Sequence, residues 1–288
     1  MDRFINCIAH NASEGNLLIG EKKTALFDCG MQFCAEETIG NIKKMLGERP
    51  LDYIFATHTH YDHIGALPML RDAFPDVKLV TCEVGAAVLQ KDTPRRVIRE
   101  LSETAAKDYG TKSVKPYKDD AFYADMIVAD GDIIDLGGVS IEVIETPGHT
   151  RDSLSFYIPE LELLILSETI GVMFPDGSMY PSYLIGFEVS KSAIERCKKY
   201  SFKFLSLPHR GIVDENTANV YFTKAEDTIN SCYNFIWDMY KKGLSDDEML
   251  ELFFEKYGSE TLLTFQPRAA FDANAKATIA CAIKEFSE

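Results

Sequence analysis

Seven histidine and carboxylate side chains in this sequence stand in a pattern that could hold metal ions. The run Thr57-His58-Thr59-His60-Tyr61-Asp62-His63 carries three histidines and one carboxylate. In an extended or turning segment, His58 and His60 can point to one side. Asp62 and His63 are adjacent and diverge, so a second ligand direction follows, which suggests two ions rather than one. Neutral imidazole and carboxylate suit Zn²⁺ and other first-row divalent metals. Later in the chain His149, Glu168 and His209 each follow a strand-like run. His149 stands in Thr146-Pro147-Gly148-His149-Thr150 and His209 in Leu207-Pro208-His209-Arg210-Gly211. The flanking Pro and Gly permit sharp turns that aim a side chain back over a sheet edge. The chain holds 6 histidines, and only His10 lies outside this pattern.

The elements that must position these residues alternate between strand and helix. Residues 16–19 and 24–27 are short apolar runs separated by the turn-like Gly20-Glu21-Lys22-Lys23, and Asp28-Cys29-Gly30 closes the second. Helical spacing runs from Glu36 to Leu46 through Ile39 and Ile42. Asp52 to Thr57 reads as a buried strand that runs into the histidine cluster, with a helix beyond it. Ligand sites favour the strand-to-helix junction in α/β sheets. Val77 to Thr81 is a further strand; Glu83 to Gln90 and Pro94 to Lys107 read as helices, the second capped by Thr93 with Pro94 at its first position. Strands are expected at 126–128, 133–136, 139–144, 154–158 and 163–166, with Gly131-Asp132 and Gly137-Gly138 as turns. A helix from Lys191 to Tyr200 and a strand from Phe202 to Leu207 follow. From about Thr217 the composition becomes helical: Ser245-Asp246-Asp247-Glu248 is a capping box opening a helix to about Tyr257, and a last helix spans Arg268 to Phe286. The division expected is a catalytic α/β domain over 1–215 and a helical extension over 216–288.

A chain of 288 residues can bury a sizeable core without staples. Its net charge of −15 would repel a polyanion such as DNA or RNA on average. No apolar run approaches the roughly 20 residues that span a bilayer, and Met1 to Ser13 shows no basic region followed by an apolar stretch, so neither a membrane span nor a signal peptide is expected. The 7 cysteines are scattered and form no CxxC pair, as in reduced thiols of a cytoplasmic protein.

The motifs THTHYDH, TPGHT, LSET and LPHRG, in that order, resemble those of the metallo-β-lactamase superfamily over roughly residues 16–212. Asp28-Cys29-Gly30 resembles the Asp-x-Gly at a strand end in that family. The resemblance implies an α/β four-layer αββα sandwich with the metals at one edge. It implies that His58, His60 and His149 hold one ion and Asp62, His63 and His209 the other. Glu168 stands where the family has a bridging Asp. Asp62 and His63 are the expected catalytic pair, and Asp28 is placed to hydrogen-bond a ligand histidine and fix its tautomer. The layout resembles the glyoxalase II-like thioesterases, and among them the aminobenzoylacetyl-CoA thioesterases of quinolone signalling.

The function implied is that of a metal-dependent hydrolase using a metal-bound hydroxide on a thioester or ester, with two divalent ions, Zn first and Fe or Mn as alternatives. An iron-dependent oxidoreductase on the same fold, either sulfur dioxygenase-like with a single iron or diiron, is the competing reading. Diiron members of the superfamily carry Glu at the second motif position, where this chain has His60. A regulatory protein or a nuclease fits less well, given the retained ligand set and the acidic charge. A small-molecule substrate is the expected partner, with no nucleic acid or membrane, and with room for a homodimer. Met173, Phe174, Tyr180 and Tyr183 are candidates to line an apolar pocket. Arg95, Arg96 and Arg99 are candidates to meet a phosphate, although a solvated helix face is the better reading of them.

Overall fold

A computed structural model describes residues 3–8, 13, 15–109 and 116–287, so His10 lies outside the described residues. The chain divides into two compact units, 1–144 with 154–163, and 145–153 with 164–288.

In the first unit, strands β1 (Phe4–Asn6), β2 (Asn16–Ile19) and β3 (Thr24–Phe27) pair antiparallel in sequence order. After β3 the pairing becomes parallel, which requires crossover connections. Helix α1 (Ala35–Leu46) leads to β4 (Tyr53–Phe55). The one-turn α2 (Tyr61–Ile64) and α3 (Leu67–Ala73) lead to β5 (Lys78–Cys82). Helices α4 (Glu83–Leu89) and α5 (Asp92–Asp108) lead to β6 (Met126–Val128). The resulting sheet has the order β1-β2-β3-β4-β5-β6. Helix α1 shows why such segments are helical: Glu36 and Glu37 lie in its first turn, Lys43 and Lys44 in its last, each complementing the helix dipole. Gly47 at its end adopts φ +58°, a conformation that favours glycine. The same unit carries β7 (Ile133–Asp135), β8 (Ser140–Glu145) and β9 (Leu154–Ile158), with β7 antiparallel to β8.

The core of this unit centres on three buried rings. Phe27 of β3, Phe55 of β4 and Phe156 of β9 lie with centroids 5.6, 5.1 and 5.5 Å apart pairwise. Leu26, Ile54 and Leu79 bury the opposite face of β3–β5 in a cluster with Ile42 and Leu46 of α1 and Leu67 and Leu70 of α3.

The second unit contains β10 (Leu163–Ile165), the hairpin β11 (Val172–Met173) and β12 (Met179–Tyr180), helix α6 (Phe187–Cys197), and the antiparallel pair β13 (Phe204–Leu207) and β14 (Gly211–Ile212). Four helices complete it: α7 (Glu215–Lys241), α8 (Asp246–Tyr257), α9 (Glu260–Phe265) and α10 (Arg268–Phe286). Asp214 caps α7 by accepting the Thr217 N–H at 2.8 Å, and these hydrogen bonds hold its carboxyl below the usual range. The expected capping box at Ser245 and Glu248 is present. No helix among the described residues is long and apolar enough to cross a membrane.

The α/β class and the helical C-terminal region are as the sequence implies. Two helix starts differ. Helix α5 begins at Asp92, with Lys91 rather than Thr93 at the capping position, so Pro94 is its third residue. The whole first turn lacks intrahelical N–H partners, so proline is tolerated there, and Asp92 is held by Arg95 at 2.7 Å. Helix α6 begins at Phe187, four residues before the expected Lys191, because Glu285 of α10 accepts the Phe187 N–H at 2.8 Å. That partner is distant in sequence, and local periodicity does not reveal it.

Two measurements check this packing. Phe156→Ala should destabilise the protein by about 3–5 kcal/mol in urea denaturation, the range for emptying a large buried ring. Burial pushes the Cys7 and Cys34 thiols up to about 12 and those of Cys29 and Cys232 also upward. A raised pKa leaves little thiolate at pH 8, and all the cysteines but the half-buried Cys281 are buried. Ellman's reagent should therefore titrate at most one thiol in the native protein and all 7 after unfolding.

Candidate metal centre

The histidine run begins two residues after β4, at the carboxyl end of a parallel strand. His60 lies in extended backbone, and its ring comes together with that of His58, with centroids 4.5 Å apart. At Tyr61 the backbone turns into α2, which swings Asp62 and His63 to a new direction. The His63 Nε2 lies 3.7 Å from Asp62 Oδ2. So Asp62 and His63 do not diverge from each other as expected. They share a direction, and the His63 ring also stands beside that of His58, with centroids 4.0 Å apart.

Beneath this turn sits a buried network. Asp28, immediately after β3, accepts the Thr57 N–H at 2.7 Å, the Thr57 hydroxyl at 2.7 Å and the His63 Nδ1–H at 2.8 Å. A carboxylate only accepts, so the His63 proton is on Nδ1 and Nε2 presents its lone pair. Thr57 spends its own proton on Asp28, so its oxygen accepts from His58 Nδ1 at 3.2 Å, and His58 also presents Nε2. The second role expected of Asp28, fixing the tautomer of a site histidine, is thus what its geometry does. Asp28 adopts φ +56°, which a residue with a side chain rarely takes. The hydroxyl of Ser13 accepts the Met31 N–H at 2.7 Å and donates to the Asp62 carbonyl at 3.2 Å, tying α2 to the segment after Gly30.

His149, Glu168 and His209 form a second set. Gly148 leaves no room for a side chain, since a Cβ there would stand 2.2 Å from Thr169 Cγ2. This close approach lets the His149 N–H donate to Thr169 Oγ1 at 2.9 Å. Glu168 extends its two carboxylate oxygens to different rings: Oε2 lies 3.5 Å from His149 Nε2, and Oε1 lies 2.9 Å from His209 Nε2. His209 sits at φ +57° in the turn between β13 and β14.

The first unit thus gathers His58, His60, Asp62 and His63, and the second gathers His149, Glu168 and His209. Two atoms bound at about 2.0–2.2 Å to one tetrahedral ion stand roughly 3.3–3.6 Å apart. Asp62 Oδ2 and His63 Nε2, 3.7 Å apart, lie just beyond that spacing. The donor set in each unit is nitrogen and oxygen, which suits a divalent ion.

The remaining expected residues lie elsewhere. Met173, Phe174, Tyr180 and Tyr183 are buried in packing, with Phe174 on Phe265, Tyr180 on Phe271 and Tyr183 on Phe187. Arg95, Arg96 and Arg99 pair with Asp92, Glu100 and Asp119. Thr57, Thr169 and Ser182 were not singled out from the sequence. Single hydroxyl residues carry no spacing signal, although Thr57 and Thr169 do adjoin ligand positions.

Residues 16–199 match the family Lactamase_B, described as the metallo-beta-lactamase superfamily. A metallo-beta-lactamase fold-containing protein of Sulfurisphaera tokodaii is 27% identical over 206 residues, covering 68% of this chain and 72% of that protein. The crystal structure of an archaeal metallo-beta-lactamase superfamily protein from Sulfolobus tokodaii superposes with a TM-score of 0.60 at 21% identity, covering 80% of this chain and 85% of that one, a likeness of fold. A probable metallo-hydrolase of Streptococcus pyogenes is 28% identical over 58% of this chain and 66% of its own length. A nitric oxide reductase of Moorella thermoacetica is 30% identical over 54% of this chain, and the match spans 33% of that enzyme.

Asp28→Asn tests the network. Asn tolerates the left-handed backbone but replaces a pure acceptor with an amide. Zinc affinity, read by competition with a chromophoric chelator, should fall about 10–100-fold, the range for losing an outer partner of a ligand histidine.

Proposed function

Because the chain belongs to the metallo-β-lactamase superfamily, we propose that it is a metal-dependent hydrolase of thioesters or esters. The observation that carries this reading is the ligand set each unit gathers at its strand ends, the histidine run with Asp62 in one and His149, Glu168 and His209 in the other. In this reading His58, His60 and His149 hold one divalent ion, and Asp62, His63 and His209 hold the other. Glu168, with one oxygen toward His149 and one toward His209, would complete the ligand set. Zinc is the ion best matched to these donors, with Fe or Mn as alternatives. Such ions supply Lewis acidity, polarising a carbonyl and lowering the pKa of water toward ~7.

The chain's own residues do the rest. Asp28 and Thr57 hold His63 and His58 in the tautomer that presents Nε2. The Asp62 carboxylate, only partly buried, orients the attacking water by accepting its hydrogen bond. No side-chain nucleophile is needed, and the buried thiols are poor candidates for one because burial keeps them protonated. Residues 1–215 form the catalytic part and 216–288 the helical extension. The thioester preference draws on the layout shared with glyoxalase II-like enzymes.

One observation favours a second reading, an iron-dependent oxidoreductase: the 30% identity to a nitric oxide reductase. His60 at the second motif position and the short span of that match favour the hydrolase.

The test is a panel of acyl-CoAs, S-lactoylglutathione, lactones and phosphodiesters with metal-defined protein. Chelation should abolish turnover of a thioester or ester, and zinc should restore it. His149→Ala should lower kcat/KM by at least the ~10–100-fold that loss of an outer-shell partner alone costs. Glu168→Asp should shed one of two ions by elemental analysis, because the shorter side chain cannot reach both rings. A single tightly held iron with no hydrolysis of any substrate would establish the oxidoreductase reading instead.

A further inference from the structure

The loop between β12 and α6 meets the candidate centre through one residue. Ser182 is buried, and both its oxygens lie at His149 Nδ1: the hydroxyl at 2.7 Å and the carbonyl at 3.2 Å. The same hydroxyl lies 3.5 Å from Glu168 Oε2. Donor and acceptor inventories give this triangle one polarity. A carbonyl and a carboxylate only accept. The Nδ1 atom must therefore carry the proton and donate it toward Ser182, while the Ser182 hydroxyl donates to Glu168. His149 is left with its lone pair on Nε2, which lies 3.5 Å from the Glu168 oxygen that Ser182 also reaches.

We propose that Ser182 is a positioning residue that couples the two ion positions, holding His149 of one group and Glu168 of the other through a single hydroxyl. The proposal rests on the metal reading above. Removing that hydroxyl takes the shorter of two acceptors from His149 and the donor from Glu168 at once. Both ions should then bind more weakly, although Ser182 touches neither. The chain around Ser182 is held independently. The Cys281 thiol donates to the Leu184 carbonyl at 2.8 Å, Glu285 accepts the Phe187 N–H, and the Ile185 N–H donates to the Gly148 carbonyl at 3.0 Å. The loop should therefore keep its course when the hydroxyl alone is removed.

Cobalt(II) titration of the metal-free protein tests this, with d–d absorption and chelator competition as readouts. In Ser182→Ala, binding should weaken about 10–100-fold at both positions, with the melting temperature of the metal-free protein unchanged, and Ser182→Thr should recover most of the affinity. Unchanged affinity in Ser182→Ala, or weakening at one position only, would overturn the proposal while leaving the metal reading intact. A wild-type chain that takes up no ion overturns both. Should Ser182→Ala fail to fold, long-range ¹H–¹⁵N spectra of the metal-free wild type decide: the Nδ1–H tautomer at His149 supports the proposal, and the Nε2–H tautomer overturns it.

Discussion

An imidazole is fixed to offer one nitrogen to an ion when the protein has claimed the other. Three histidines here are claimed in that way, each by a partner that dictates where the proton resides: Asp28 for His63, Thr57 for His58 and Ser182 for His149. The demand reaches well beyond the ligands. It requires a carboxylate buried beneath β4, a hydroxyl at the first step of the histidine run, and a loop brought back against the Gly148 turn. Buried polar groups are costly unless satisfied, so each of these partners is itself tied down. Asp28 alone accepts three hydrogen bonds.

The backbone carries part of the cost. Among the described residues with side chains, Asp28, Glu162 and His209 adopt positive φ, and two of these three serve the candidate centre. Such conformations cost about 1–3 kcal/mol each and persist when surroundings over-determine them. Hydrogen bonds hold Asp28 to the ends of β4, while the β13–β14 turn and the Glu168 carboxylate hold His209. The Phe27, Phe55 and Phe156 rings add apolar stabilisation directly below, on strands that end at the site.

Much of this was legible in the sequence, for identifiable reasons. The histidine run, the two Gly/Pro-flanked histidines and Glu168 stand out because ligand chemistry demands particular residue types at strand ends. The last helix matched its expected bounds of 268–286, and the Ser245 box was readable because both halves of the motif lie within four residues. What escaped depends on contacts distant in sequence. The start of α6 is set by Glu285, 98 residues away, and Ser182 meets His149 across 33 residues. A serine in an apolar loop carries no local mark of such a partner. Of the apolar side chains after Glu168, Phe174 and Tyr180 stack on Phe265 and Phe271 of the C-terminal helices, partners that local sequence does not reveal.

The grip of α10 on the segment after Ser182 bears on the order in which the second unit folds. Leu184 and Phe187 are anchored by Cys281 and Glu285, 97 and 98 residues further along the chain. A contact of that separation closes late, because the intervening chain must first lose its freedom. The loop beside His149 therefore takes its final course only once α10 has docked.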